Sequence, residues 1–368
     1  MKNMRLNDHK AIWSSSLWEK PSAFGAVAFL LLSVPALAFA APGPYLRSVY
    51  ARRADLRALF DPRTYLVRST ATVPSVSLED WARQDGWRED PKLLFYKPKT
   101  VIPTPVKGAA DSAPATQAEG YVVLDRTSGL MLAEQNAGVP RPLASLTKLM
   151  TVDVVLSRGV SPWRVQSISR DDIVGGSSLG VKPGTRLTVN DLLYAALLPS
   201  ANDAANALAD ATRLSRPAFV GAMNARARAF GLPRTVFADP TGLDEGNVST
   251  PRELAALADR VFAFYAVKRD ATTPQRTLTL LPRRVPLTVK NSDFLLTKPA
   301  YSDVYVTAGK TGYLGPPNGW NLAVSLRPSV AAKGRELLVV MFGEPMLADA
   351  SADAHALAQW AWGHYAWK

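Results

Sequence analysis

The sequence predicts an α+β domain built as two lobes, and three observations carry that prediction. Short apolar runs of strand character sit at both ends of residues 119–368, helical patterns fill the stretch between them, and a last helical pattern closes the chain. The terminal strands and the last helix are expected to form a sheet-based lobe, and the inserted helices a second lobe. A cleft between two such lobes is a common place for an active site.

In chain order, Tyr121–Asp125 (YVVLD) reads as a strand, Arg126–Gly129 as a turn containing glycine, and Leu130–Ala133 as a second strand. A helical pattern runs from about Leu143 to Leu156. Thr188-x-x-Asp191 is a capping-box-like start for LLYAALL, because the threonine hydroxyl can accept from an N–H three residues on. Helices follow over Asp203–Ala211 and Pro217–Phe230, the second stopped by Gly231. Thr250-Pro251-x-Glu253 combines a cap, a proline at the first helical position and an acid at the third. Strands return at Val304–Thr307, Asn321–Leu326 and Glu336–Phe342, and a last helix covers about Ala350–Trp362. No internal repeat is present.

Composition narrows the chemistry. The chain has 368 residues, 47% hydrophobic and 20% charged, which supplies a sizeable core and excludes wholesale disorder. It has no cysteine, so disulfides, thiolate nucleophiles and Cys-based zinc or iron–sulfur sites are excluded. The histidines are His9, His355 and His364, all near the ends. A His-based zinc site or a Ser-His-Asp triad would have to use them, so catalysis is expected to run on Ser, Lys, Asp or Glu. The net charge is +12, and residues 1–118 hold half of it, with 16 Lys/Arg against 10 Asp/Glu. A basic surface favours polyanions such as acidic lipid or cell-wall polymer. Neither zinc-finger spacing nor an aromatic RNA-binding signature occurs, so nucleic acid is not an expected partner.

The front of the chain reads as an export signal. Residues 23–41 (AFGAVAFLLLSVPALAFAA) carry no charge, follow Lys2, Arg5, Lys10 and Lys20, and end on the small-x-small pattern Ala38-Phe39-Ala40. The run is also nearly long enough to cross a bilayer, so a retained anchor is the alternative. Residues 44–60 interleave Leu46, Val49, Tyr50, Leu56, Leu59 and Phe60 with four arginines, a pattern suited either to an acidic membrane surface or to an ordinary solvated helix. The expected organisation is a signal peptide or membrane anchor over 1–42, a basic extension over 43–97, a Pro/Ala-rich linker over 98–118, and a folded domain over 119–368. The expected location is the periplasm or cell envelope, with a tether to the inner membrane if the segment is retained.

Three short motifs carry the chemistry. In Ser145-Leu146-Thr147-Lys148, a helix starting at Ser145 puts Lys148 one turn on and on the same face. A lysine desolvated in a cleft can be neutral and take the serine proton, and the helix N-terminus favours the oxyanion that forms. Ser200-Ala201-Asn202 follows Pro199 between two helices, where a tight exposed turn is expected. Ser200 could relay a proton to a leaving nitrogen, and Asn202 could donate to a substrate carbonyl or hold Lys148. Lys310-Thr311-Gly312 follows a strand: a cation and a hydroxyl to grip a carboxylate, a glycine to admit substrate backbone, and the N–H of Tyr313 as a second oxyanion donor. Each motif alone also has a plain structural reading: a chance helical spacing, a helix cap, a solvated strand end.

Their conjunction in this order resembles the serine acyltransferase constellation of penicillin-binding proteins and class A β-lactamases. From about Glu119 to Trp362 the chain is similar to the low-molecular-mass penicillin-binding proteins, the D-alanyl-D-alanine carboxypeptidases and their endopeptidase relatives. The resemblance lies in RPLASLTKLMT, LLPSANDAANALAD, FADPTGLDEGNVSTPRELAALA, KNSDFLL and GKTGYLGPPNGWNLAVS. It implies a β-lactamase/transpeptidase-like fold, an antiparallel sheet with flanking helices plus an inserted helical lobe. It further implies action on peptidoglycan stem peptides ending in D-Ala-D-Ala, with β-lactam antibiotics as covalent inhibitors and no metal or cofactor. Residue by residue, it makes Ser145 the nucleophile and Lys148 the general base. Ser200 and Lys310 complete a proton relay, Lys310 and Thr311 bind the terminal carboxylate, and Asn202 orients the substrate amide. Many relatives carry Gly, Glu or Asp where this chain has Ala201. Many carboxypeptidases of the family also append a C-terminal β-rich domain and a membrane helix. This chain stops soon after the catalytic lobe and has a long N-terminal extension instead; that early end and the NVST segment resemble the endopeptidase-like branch more closely.

Two rival readings remain. A β-lactamase usually draws its deacylating base from a Glu-x-x-Leu-Asn loop, and the only Leu-Asn here is Leu6-Asn7, far from that region. A penicillin sensor or scaffold would keep the fold without turnover, against which stands the presence of Ser145, Lys148, Ser200, Asn202 and Lys310 together.

Overall fold

The computed structural model describes residues 104–108 and 112–367. The expected signal or anchor and the basic extension lie outside the described residues. The described residues all fall within one compact unit, Lys97–Lys368.

The elements run as follows. β1 (Pro105–Lys107), β2 (Gly120–Asp125), β3 (Met131–Gln135) and β4 (Arg141–Pro142) lead to a 3-10 turn at Ala144–Thr147, continued by α1 (Lys148–Ser157). The helical lobe then comprises β5 (Val165–Ser167), β6 (Arg186–Thr188), α2 (Val189–Leu197), α3 (Asn202–Ala211), α4 (Arg216–Ala229), β7 (Val248–Ser249), α5 (Pro251–Val261) and α6 (Tyr265–Ala271). The hairpin of β8 (Gln275–Leu280) and β9 (Val285–Lys290) and the short α7 (Phe294–Thr297) bring the chain back to the sheet. β10 (Tyr305–Tyr313), β11 (Trp320–Arg327), β12 (Leu337–Glu344), α8 (Leu347–His364) and β13 (Tyr365–Trp367) complete it.

The main sheet has five antiparallel strands in the order β10-β11-β12-β2-β3. β12 pairs with β2, Val340 opposite Val122, so both ends of the domain meet in one sheet. Successive strand residues face opposite ways, and each face has its own core. Val122, Ala323 and Val340 pack towards the helical lobe with Leu146, Met150 and Phe219. Val123, Val324 and Val339 pack on the other face with Leu357, Trp360 and Trp362 of α8. Coverage of both faces explains the unbroken apolar run of β12, and it fixes where the edge strand β10 lies beside the helical lobe.

The expected helix starts are present. The Thr188 hydroxyl accepts from the Asp191 N–H at 3.1 Å and the Thr250 hydroxyl from the Glu253 N–H at 3.1 Å, each satisfying a donor with no intrahelical partner. Glu253 does not fold back on its own cap. Its carboxylate accepts from the Arg234 N–H and the Thr235 hydroxyl, which ties α5 to the segment after α4.

Three expectations need correction, and one element had no counterpart among them. The single helix over Leu143–Leu156 is a 3-10 turn followed by α1. The strand expected to end at Thr307 continues to Tyr313, because its register with β11 carries on through Lys310–Ala323 and Gly312–Asn321. The hairpin of β8 and β9 was not anticipated. The folded unit also begins upstream of Glu119: within the expected linker, β1 pairs with β13, Pro105 opposite Trp367, and Ala118 is buried. A chain begun at Glu119 would leave β13 without its partner strand.

Candidate active site

Ser145 lies in the 3-10 turn and Lys148 is the first residue of α1. One helical turn separates them, and the Lys148 Nζ is 2.7 Å from the Ser145 Oγ. The same nitrogen lies 2.6 Å from the Asn202 Oδ1 and 2.7 Å from the Thr241 carbonyl oxygen. Lys148 is fully buried, and burial, followed by the nearby charge of Lys310, holds its pKa well below the usual lysine range; Asp239 and Asp203 oppose the shift. A neutral amine has two N–H groups and one lone pair. Asn202 and Thr241 can accept the two hydrogens, which leaves the lone pair for the Ser145 hydroxyl proton.

The turn is held from outside. Ala144 has a left-handed φ of 51°, which costs an L-residue about 1–3 kcal/mol and persists only where the surroundings impose it. Gly242, at φ 88°, packs on the Ala144 carbonyl, where an added Cβ would overlap the oxygen. The loop carrying Gly242 is ordered by the Asp239 carboxylate. It accepts the N–H groups of Thr241, Gly242 and Asp244 at 2.5–2.7 Å and the Thr241 hydroxyl at 2.8 Å. That cradle aims the Thr241 carbonyl at Lys148. Gly242→Ala should therefore displace either the Ser145 turn or the Thr241 carbonyl, lowering both acylation rate and melting temperature. A wild-type rate together with a wild-type melting curve would refute this coupling.

Ser200 and Asn202 flank the start of α3. The turn expected to be exposed is buried: Ser200 is 8% exposed, with a φ of 65°. The preceding loop covers it. The Asn202 N–H donates to the Ser177 carbonyl at 2.8 Å, the Ser177 hydroxyl to the Pro199 carbonyl at 2.6 Å, and the Leu179 N–H to the Asp203 carboxylate at 2.9 Å. The Asn202 Nδ2 donates to the Gly175 carbonyl at 2.7 Å. Of the two roles expected for Asn202, this geometry is that of a holder of Lys148.

Lys310 is 1% exposed, not a solvated strand end. Its Nζ donates to the Ser200 Oγ at 2.8 Å and to the Thr311 carbonyl at 2.7 Å. Burial lowers its pKa to about 7, against the pull of Asp293. Asp293 is itself pushed up to about 6 by burial, opposed by backbone N–H groups of α7 and by Lys310. A side chain at Gly309 would overlap the Asp293 carboxylate. The Thr311 hydroxyl is 2.6 Å from the Ser292 hydroxyl, which is 3.1 Å from the Leu198 carbonyl. A Cβ on Gly312 would lie 3.1 Å from the Ser145 backbone nitrogen, so β10 passes directly against the Ser145 turn. Tyr313 is half exposed and stacks on Trp320, with ring centroids 4.6 Å apart.

The eight residues expected from the three motifs thus converge at one end of β10 and the starts of α1 and α3. Sequence reasoning assigned no role to Asp239, Thr241, Gly242, Ser292 or Asp293. FADPTGLD and KNSDFLL were conspicuous, but their contribution runs through a carbonyl and hydrogen-bonded turns, which residue type does not reveal. Among the described residues no cluster of three or more His, Cys, Asp or Glu is placed to hold a metal ion.

The fold and the pairing of Ser145 with the buried Lys148 define a serine peptidase of the β-lactamase/transpeptidase-like class. The chain belongs to the D-alanyl-D-alanine carboxypeptidase family, whose model matches residues 107–341. It is 32% identical over 218 residues to a D-alanyl-D-alanine endopeptidase of Pseudomonas aeruginosa, covering 59% of this chain and 67% of that one. It is 36% identical over 174 residues to the D-alanyl-D-alanine carboxypeptidase DacA of Escherichia coli, covering 43% of this chain and 40% of that one. Among solved structures it is similar to a Streptomyces DD-transpeptidase, with a TM-score of 0.62 and 26% identity over 69% of this chain and all of that one.

Proposed function

We propose that this chain hydrolyses the D-Ala-D-Ala bond, or a D-Ala-linked cross-bridge, of peptidoglycan stem peptides through an acyl-enzyme on Ser145. The observation that carries this reading is the buried Lys148 amine, 2.7 Å from the Ser145 Oγ with its other two neighbours both acceptors. Ser145 Oγ attacks the carbonyl carbon of the penultimate D-Ala while its proton passes to Lys148. The N–H groups of Ser145 and Tyr313 stabilise the oxyanion. The proton then moves through Ser200, which Lys310 orients, to the leaving amine, and the C–N bond breaks. Water attacks the ester carbonyl, the proton returns to Ser145, and the acid product leaves. Lys310 and Thr311 receive the terminal carboxylate of the substrate.

β-Lactam antibiotics present the same acyl carbon in a strained ring and are expected to acylate Ser145. Relatives with both leaving groups are similar to this chain. The deciding experiment incubates the enzyme with cross-linked and uncross-linked muropeptides and reads the products by mass. Loss of one D-Ala marks a carboxypeptidase, and conversion of dimer to monomers an endopeptidase. If neither changes while a fluorescent penicillin still labels the protein, the chain is a sensor. Rapid release of hydrolysed penicillin would instead make it a β-lactamase.

The Lys310 assignment has its own test. Lys310→Ala should raise KM most for substrates with a free terminal carboxylate and much less for the amidated substrate, which offers no charge to pair. Lys310 is charged below its pKa of about 7, so KM for the free acid should rise as pH rises through about 7. Equal losses for both substrates, with no pH difference between them, would confine Lys310 to the proton relay.

This activity belongs outside the cytoplasm. The supporting features are the uncharged run over 23–41 behind a basic segment and the family's cell-wall substrate. Residues 1–42 are proposed to export or anchor the enzyme and residues 43–97 to hold it near an acidic surface. No helix among the described residues is long and apolar enough to cross a membrane.

A further inference from the structure

We propose that the helical lobe carries a second binding site, for carboxylate-bearing sugar–peptide strands of the cell-wall polymer, at the shared far end of α1 and α3. The inference rests on the reading of the chain as a peptidoglycan enzyme. Both helices begin at the candidate active site, with Lys148 and Asn202 as their first residues, and both end beside one cavity of about 620 Å³. At about 1.5 Å per residue, α1 alone sets the two sites roughly 15 Å apart.

Arg158, Arg164 and Arg213 line this cavity together with Ser161 and Thr212, and no acidic residue does. Several arginines elsewhere are matched to acids, among them Arg126 with Asp259 and Glu336, Arg226 with Asp153 and Arg269 with Asp270. The three cavity arginines have no ion pair or side-chain hydrogen bond among the described residues. Arg158 caps α1, and Arg213 follows the cap of α3. The negative ends of the two helices favour cations there, but partial charges leave three full charges largely uncompensated. Guanidinium groups bind carboxylates through paired N–H donors, so a concave wall of three suits a ligand carrying several discrete acids.

Trp163 does not line the cavity but lies in the chain between the lining residues Ser161 and Arg164, and it is 79% exposed. Its position is built rather than incidental. The Arg164 N–H donates to the Ser161 carbonyl at 3.0 Å, the Val189 N–H to the Arg164 carbonyl at 2.8 Å, and the Asn190 N–H to the Pro162 carbonyl at 2.9 Å. This short turn, fixed to the start of α2, presents an indole to water one residue before Arg164. An exposed indole offers a flat apolar face with a donor at its edge, which suits a sugar ring. Peptidoglycan combines such rings with the free carboxylates of its stem peptides. Sugar rings and discrete carboxylates match an exposed indole and three guanidinium groups better than a lipid surface does. A strand held here would keep neighbouring stem peptides near Ser145.

The test uses the full chain and the triple variant Arg158→Ala, Arg164→Ala, Arg213→Ala in pelleting assays with purified sacculi. The variant should bind about tenfold more weakly. Raising salt to 1 M should weaken the wild type more than the variant, because it screens the exposed charges. Hydrolysis of a soluble pentapeptide should be unchanged. Trp163→Ala should also reduce sacculus binding and Trp163→Phe should restore it, a pair that still decides the matter if the triple variant does not fold. Wild-type sacculus binding by these variants would overturn the proposal. So would loss of binding to phosphatidylglycerol vesicles with sacculus binding intact, which would make the site a membrane contact. Wild-type protein that binds sacculi through these residues but cleaves no pentapeptide or muropeptide would refute the hydrolytic reading and leave this site standing.

Discussion

Replacing Ser145 with alanine should abolish both hydrolysis of D-Ala-terminated peptides and covalent labelling by penicillin. The expected loss is complete for labelling, because no second nucleophile has the required surroundings. Cysteine is absent from the chain. Ser292 is engaged by the Thr311 hydroxyl and the Leu198 carbonyl, and Ser200 faces Lys310, which is also a hydrogen-bond partner of its own strand. Among the described residues only Ser145 combines a base at 2.7 Å with a position against the β10 backbone. The side chain is small and partly exposed, so Ser145→Ala should fold normally and melt close to wild type. Intact mass after incubation with penicillin is the readout, and a penicilloyl adduct on the variant would remove Ser145 from the mechanism.

Lys148→Ala should slow acylation by about two to four orders of magnitude, as expected when a positioned base is removed. Rate alone does not separate a base from a structural residue, since the substitution also strands the Asn202 Oδ1 and the Thr241 carbonyl in a buried site. Each stranded acceptor costs about 1–3 kcal/mol. Lys148→Met keeps most of the volume and serves as a companion. The discriminating measurement is the pH profile of acylation. In the wild type, lowering the pH protonates Lys148 and removes the base, so the rate should fall on the acid side. In both variants that limb should vanish. A variant with a near-wild-type rate, or one that retains the acid limb, would show that the proton goes elsewhere.

The Ser–Lys spacing was legible because helix geometry is local: three residues on is one turn, whatever the rest of the chain does. The caps at Thr188 and Thr250 were legible for the same reason. The turn after Pro199 was also correctly located, but its burial was misjudged. Pro, Ser and Asn are typical of exposed turns, and only the Ser177–Leu179 loop, some twenty residues upstream, covers this one. Strand β10 was cut short because Ala-Gly-Lys-Thr-Gly has little strand propensity of its own; β11 imposes the conformation through the ladder. The strand pair of β1 and β13 joins two segments more than 250 residues apart, each three residues long and unremarkable alone.

From its own residues, then, the sequence determined the two-lobe α+β plan, the absence of thiol chemistry, the order of the three motifs and the family they resemble. The first three are properties of composition, periodicity and spacing along the chain, and the family is a resemblance carried by the motif segments. What only the tertiary structure decided is the electrostatic state of the site. Lys148 and Lys310 are ordinary lysines in the sequence. They become weakly basic because the sheet and the helical lobe together remove them from water and place two amines in one buried cluster. The Thr241 carbonyl joins that cluster because the Asp239 cradle turns it inward, and Gly242 admits the Ser145 turn because it has no side chain. Desolvation and close approach depend on atoms distant in sequence, so a chemistry whose residues could be named in advance acquires its reactivity only when the two lobes close around them.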